Sequence, residues 1–137
     1  MKKYYLITCT VIFMSLAGCS KKDPIGKWED NIKLSQKNAT LQPGVDSITI
    51  TTAGNSWWIN NISLDSTMVP NSFNINTSQP SFVFSTADFV LQRINGISLK
   101  IKMNANTGNA NRRLLIGMQD GNYFDGIVIT QLHWVNE

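Results

Sequence analysis

This chain is poor in the residues from which most catalytic and metal sites are built. Its 137 residues include two cysteines and one histidine. Cys9 lies inside an apolar stretch near the N-terminus and Cys19 closes that stretch. A domain made from the remainder has no thiol, which excludes disulfides, cysteine-ligated zinc and a cysteine nucleophile. His133 has no second imidazole to share a metal with and no partner set for acid–base work. Near the C-terminus it reads as a surface residue. Charge is sparse, at 15% of residues. Four of the 12 Lys and Arg are Lys2, Lys3, Lys21 and Lys22, and one of the 9 acids is Asp23. Past Pro24 the eight that remain of each sign balance. Nucleic-acid binding requires a basic field to neutralise phosphates, so no nucleic-acid partner is expected. The chain also lacks any helical period of useful length, and any apolar run of the roughly 20 residues that a spanning helix requires.

What the N-terminus does contain is an ordered leader. Lys2 and Lys3 precede an apolar run from Tyr4 to Leu16, diluted by Thr8, Thr10 and Ser15, and small residues follow. That is the order of a secretory signal peptide. Leu16-Ala17-Gly18-Cys19 resembles the lipobox of bacterial lipoproteins, in which the cysteine becomes the first mature residue and carries the lipid. The expected division is a signal peptide at 1–18, a lipidated tether at 19–26 and one folded domain at 27–137. Several acyl chains hold more firmly than a single myristoyl chain, so the mature protein is expected on a membrane without crossing it. Ser20 is compatible with sorting to the outer membrane of the cell envelope. Only Asp23, behind Lys21 and Lys22, is acidic in the tether, which leaves the side of the membrane open.

The rest of the chain alternates apolar and polar residues in short runs separated by turn signals, which predicts strands. The turns are Pro43-Gly44, Ala53-Gly54-Asn55, Asn95-Gly96, Asn104 to Asn111 and Asp120-Gly121-Asn122. Ile97, Leu99, Ile101 and Met103 alternate with Ser98, Lys100 and Lys102, giving one buried and one wet face. Leu114, Ile116 and Met118 form a second inward set, and Ile127 and Ile129 a third, with Val128 facing out. Upstream, Asp46 to Thr52 points Ile48 and Ile50 inward. Trp57 to Leu64 is a longer strand, Phe82 and Phe84 mark another, and Ile32 and Leu34 suggest an early edge strand. Ser66 to Pro80 carries two prolines and reads as a long loop or irregular edge. The fold expected is all-β: a single immunoglobulin-like sandwich of about seven strands.

Read in order, Trp57-x-Ile59, Phe89-Val90-Leu91, Ile97 to Met103, the loop Asn104 to Asn111, Arg112-Arg113-Leu114-Leu115-Ile116 and Ile127-x-Ile129-x-Gln131 resemble the BACON domain. That family is a Bacteroidetes-associated module linked with carbohydrate binding. Its pattern is a tryptophan strand, a second aromatic, a glycine turn, an alternating strand, an arginine-started strand and a V-x-V-x-Q ending. Phe89 stands where the second aromatic is usually tryptophan. The likeness spans roughly 30 to 131. It implies an immunoglobulin-like sandwich, and either glycan contact or a spacer role.

Trp57 and Trp58 are the candidate glycan-binding residues, because a flat indole can stack on pyranose C–H groups. Adjacent strand residues face opposite ways, so one is expected in the core and one outside. Strict alternation buries Trp58 with Ile62 and Leu64. A bulge at Asn60-Asn61 buries Trp57, Ile59, Ile62 and Leu64 instead; it covers more apolar surface and is the preferred register. The outer indole is then either a sugar platform or a residue covered by the Ser66–Pro80 segment, the commoner fate of a large aromatic. Trp28, Trp134 and Tyr123 read as packing caps. Asp120 to Asp125 has acidic spacing faintly like a calcium loop but no EF-hand pattern, so a hairpin with Gly121 or Asn122 at positive φ is expected. Glu29-Asp30 point apart on an extended chain and lack a third group. Asp46-Ser47-Ile48 and Asp65-Ser66-Thr67 resemble the short motif used for O-glycosylation in Bacteroidetes. No metal, cofactor or catalytic residue is expected. The partners expected are a membrane through the Cys19 lipid, and either a glycan such as mucin or polysaccharide or another envelope protein.

Overall fold

Period-two burial builds this molecule. The structure, a computed structural model, describes residues 29–70 and 74–135. The signal peptide, Cys19, the tether and Trp28 lie outside the described residues. The strands are β1 (Asn38–Leu41), β2 (Asp46–Thr51), β3 (Trp58–Leu64), β4 (Thr67–Met68), β5 (Phe82–Ser85), β6 (Phe89–Ile94), β7 (Ser98–Met103), β8 (Arg112–Asp120) and β9 (Tyr123–Gln131). Among the described residues there is no helix.

Five strands form one sheet in the order β1-β9-β8-β3-β4, and four form the other in the order β2-β7-β6-β5. Pairs are antiparallel except β1 with β9, which is parallel. Without the short β4 and β5, the frame has seven strands. Its middle strands are β2-β7-β6 facing β3-β8-β9, the connectivity of immunoglobulin-type sandwiches. The two strands beyond the expected seven both come from the Ser66–Ser85 stretch.

The inward residues of both sheets make one core. Ile50, Leu91, Leu99, Ile101, Met103, Leu114, Ile116, Met118, Ile127 and Ile129 are buried as their alternation requires. Each such side chain contributes about 1.5–3 kcal/mol on burial. Leu41, Phe84 and Phe89 fill the ends. Ile48 is half-buried at the margin.

Two expectations are corrected. Ile97 is not inward but 44% exposed. Asn95 and Gly96 take positive φ, 52° and 77°, and turn the chain before β7 begins at Ser98. Ile32 and Leu34 do not form a strand. Lys33 sits at φ 50° with its N–H donating to Asp30 Oδ1, which interrupts the extended backbone. Ile32 is nevertheless buried, and its carbonyl accepts from Ala53 N.

Polar side chains tie the loops at either end. Arg112, at the head of β8, donates from Nε to Gln131 Oε1 at 2.8 Å and from Nη1 to Asp88 at 2.8 Å, and also bonds the Asn104 carbonyl. Gln131 is buried, and its Nε2 donates to the carbonyls of Gly44 at 2.8 Å and Asn104 at 3.1 Å. The arginine that starts one strand and the glutamine that ends the next thus meet and fasten three loops.

Candidate functional site

The site begins with a bulge. β3 pairs with β8 in register from Trp58↔Gln119 to Ile59↔Met118, then slips by one residue so that Asn61, not Asn60, faces Gly117. The extra residue is the bulge expected at Asn60-Asn61. It lets Trp57, Ile59 and Ile62 all point into the core, and turns Trp58 to the outer face of the five-stranded sheet. Trp57 is 0% exposed. Its Nε1 donates to Thr52 Oγ1 at 2.9 Å. Trp57 is therefore a core residue and is withdrawn as a glycan-binding candidate. Of the two tryptophans, Trp58 alone reaches solvent, and it is half-buried.

Trp58 stands at one wall of an open cleft of about 430 Å³, lined also by Asn60, Ile75, Asn76, Thr77 and Ser78. The far wall is residues 75–78, the end of the Ser66–Pro80 segment. That wall is held by side chains. Thr77 Oγ1 accepts from Ile59 N at 3.2 Å and donates to Ile59 O at 2.9 Å, standing in for a strand partner along β3. Asn76 Oδ1 accepts from Ser78 N and Ser78 Oγ, closing a tight turn.

Behind the wall lies Arg93, 1% exposed and with no carboxylate among its partners. Its Nη1 donates to the carbonyls of Trp57 (2.8 Å), Thr77 (3.1 Å) and Gln79 (3.1 Å). Nη2 donates to Asn55 (2.7 Å) and Gly96 (2.9 Å). Burial pushes its pKa down from the ordinary arginine value, yet a guanidinium keeps its proton in proteins. The sequence reading did not single out Arg93. The signal was there: Phe89, Leu91 and Arg93 share one parity, which puts a cation on the core face.

The polar floor is also ordered. Asn60 Oδ1 and Asn61 Oδ1 are buried without hydrogen-bond partners, both pressed on Gly117. A Cβ at Gly117 would stand 2.1 Å from Asn61 Oδ1 and 2.5 Å from Asn60 Oδ1. With the oxygens turned inward, the Nδ2 groups are the donating ends left to the outer face. Among the described residues, no hydrogen bond engages the Nδ2 of Asn60 or Asn76. The arrangement can do what sugar recognition requires: offer an apolar ring edge beside amide donors.

The other candidates separate. Asp120 Oδ2 accepts from Ser56 Oγ at 2.7 Å, whereas Asp125 pairs with Lys37 Nζ at 2.9 Å and accepts from Tyr123 Oη at 3.2 Å. Each carboxylate has its own partners, and Gly121, at φ 58°, makes the hairpin turn. Among the described residues, no group of three His, Cys, Asp or Glu could hold a metal. His133 accompanies Asn111 at the surface. Tyr123 packs on the core as a cap, but Trp134 does not; it is 60% exposed. Ser47 and Ser66, in the two short glycosylation-like motifs, are exposed.

No family model matches this chain, and no curated protein does. Among solved structures, it is similar to the NMR structure of a protein from Bacteroides thetaiotaomicron, with TM-score 0.63 at 22% identity, covering 87% of this chain and 100% of that one. That likeness extends the all-β sandwich architecture to both proteins.

Proposed function

We propose that this is a non-catalytic, lipid-anchored protein of the bacterial cell envelope whose Trp58 cleft binds glycan chains weakly. The observation that carries the reading is a half-buried indole in an open cleft, flanked by the side-chain amides of Asn60 and Asn76. The order of motifs that resembles the BACON domain supports the same class of ligand. The leader ending in Leu16-Ala17-Gly18-Cys19 supports the anchor. Asp30, Asp120 and Asp125 are engaged in holding loops and Lys37, which supports a binding role over catalysis.

One stacked ring and a few hydrogen bonds give about −4 kcal/mol after ordering costs, a millimolar constant. The test is a titration of the chain from Ser20 to Glu137 with mucin O-glycans and plant polysaccharide fragments to high concentration, followed by tryptophan fluorescence and amide shifts. Saturable shifts around Trp58, lost in a folded Trp58→Ala variant, are expected. Shifts that persist unchanged in that variant, or no shift with any ligand, defeat the glycan reading. The anchor is tested by Cys19→Ala, which leaves an uncleaved precursor if Cys19 carries the lipid; normal cleavage would make the protein an ordinary secreted one.

A second reading, contact with another envelope protein, draws on one observation. The edge strand β5 reads Phe82-Val83-Phe84-Ser85, with no charge, proline or bulge to guard it.

A further inference from the structure

The outer face beside Trp58 continues as an ordered surface across three strands. Directly paired residues project to the same side of a sheet. Trp58 pairs with Gln119, and Gln119 pairs with Phe124. The next row is Asn61, Gly117 and Gly126, and the one after it is Ser63, Leu115 and Val128. Phe124 is 60% exposed. The face therefore has an aromatic row, then a row in which the Asn60 and Asn61 amides lie over the buried Gly117 and Gly126 adds no side chain, then the row of Ser63, Leu115 and Val128. Gln119 Nε2 donates to Gly121 O at 2.8 Å, which leaves its Oε1 as an acceptor between the two rings. Asn60 and Asn61, packed over Gly117, contribute amide donors in the middle row.

We infer that this face binds an internal segment of a neutral polysaccharide chain, laid across β3, β8 and β9 with Trp58 and Phe124 as its two platforms. The inference rests on the Trp58 reading and gives it a ligand class. Two strand spacings, about 10 Å, separate the backbones of the two aromatic residues, a span longer than one pyranose ring. A single terminal sugar would reach one platform and leave the other unused. Neutrality follows from the charges. On the outward positions of β3, β8 and β9 the one charged residue is Arg113, at the far end of β8 from Gln119. A uronate or sulfated chain would find no cation beside the aromatic row, whereas hydroxyls can both donate to Gln119 Oε1 and accept from the asparagine amides.

The test is a length series. The chain from Ser20 to Glu137 is titrated with mono- to hexasaccharides of β-1,4-glucan, β-1,4-xylan and α-1,4-glucan, and with oligogalacturonates of the same lengths, reading amide shifts at Trp58, Gly117, Gly126 and Phe124. In at least one neutral series the affinity is expected to rise about tenfold or more from mono- to hexasaccharide. Phe124→Ala, a change at an exposed position, is expected to bring the hexasaccharide back toward the disaccharide value without altering monosaccharide binding at Trp58. Affinity independent of length, or a hexasaccharide unaffected by Phe124→Ala, overturns the chain-segment inference and leaves a Trp58 site standing. Oligogalacturonates that bind more tightly than every neutral series overturn the neutrality. No shift at Trp58 with any probe removes both this inference and the glycan reading beneath it.

Discussion

The guanidinium of Arg93 lies over the ring of Trp57, its Cζ 3.6 Å from the ring centroid. One residue comes from β6, the other from the chain just before β3, so the contact crosses between the sheets. At this end of the sandwich, beside the turn from β6 to β7, the buried arginine gathers loop carbonyls, its charge met by their dipoles and an indole face.

That arrangement predicts a large penalty for Arg93→Met. The variant leaves the carbonyls of Asn55, Trp57, Thr77, Gln79 and Gly96 without this donor. A loss on the order of 3 kcal/mol or more is expected in urea melts. Arg93→Lys retains the charge but not the fork, and should fall between. A methionine variant as stable as wild type would show that the carbonyls find other donors.

Gly117 and Gly126 are cross-strand partners but should not tolerate alanine equally. At Gly117 the new methyl meets Asn61 Oδ1 at 2.1 Å and Asn61 Cγ at 2.7 Å, so the amide must leave its seat. At Gly126 the nearest atom is Ile116 O, at 3.4 Å. Gly117→Ala is expected to cost about 1–3 kcal/mol and to shift the amide signals of Asn60 and Trp58. Gly126→Ala should cost clearly less, and chemical denaturation of the pair decides it.

Register is tested by neighbours on β7. Ile101 is fully buried and Lys100 faces solvent. Ile101→Ala should cost about 2–5 kcal/mol, and Lys100→Ala should stay within about 0.5 kcal/mol of wild type. Equal losses would mean that the strand presents its other face.

Alkali should weaken the fold. The hydrogen bond from Lys37 to Asp125 raises the lysine pKa above its ordinary 10.5, and desolvation raises that of Tyr123 above its ordinary 10.0. Both groups hold their protons more firmly folded than unfolded. Stability is thus unaffected by them below about pH 10 and falls as pH climbs through the folded values. The urea midpoint is expected to hold from pH 8 to about pH 10 and to drop from there to about pH 11.5, and to drop less in Asp125→Asn, which removes the lysine's partner. A wild-type midpoint that rises over this range would contradict the assignment.

Strands with strict alternation were legible from the chain alone: β7, β8 and β9 have their inward residues where the period puts them. The bulge in β3 was legible too, because only it buries Trp57, Ile59 and Ile62 together. The early strand was misjudged at Ile32 and Leu34 because burial there comes without extension; a left-handed Lys33 breaks the backbone while Ile32 still reaches the core. β1 carries one buried residue, Leu41, and its parallel partner is at the other end of the chain, so no local pattern announces it. The outer-face rows were hidden for a related reason. Gly117, Gly126 and Phe124 are unremarkable one by one and acquire meaning through cross-strand register, which long-range pairing sets.

The parallel seam between β1 and β9 has a mechanical consequence. Asn38 to Leu41 run alongside Val128 to Gln131 in the same direction, one near the start of the domain and one near its end. Tension drawing the two ends of the domain apart slides these strands past each other along their length. Their bonds are then loaded together, in shear, and must yield as a group instead of unzipping singly. The preceding stretch, held by Ser35 N to Thr51 O and Ala53 N to Ile32 O, would peel first and leave that seam as the clasp.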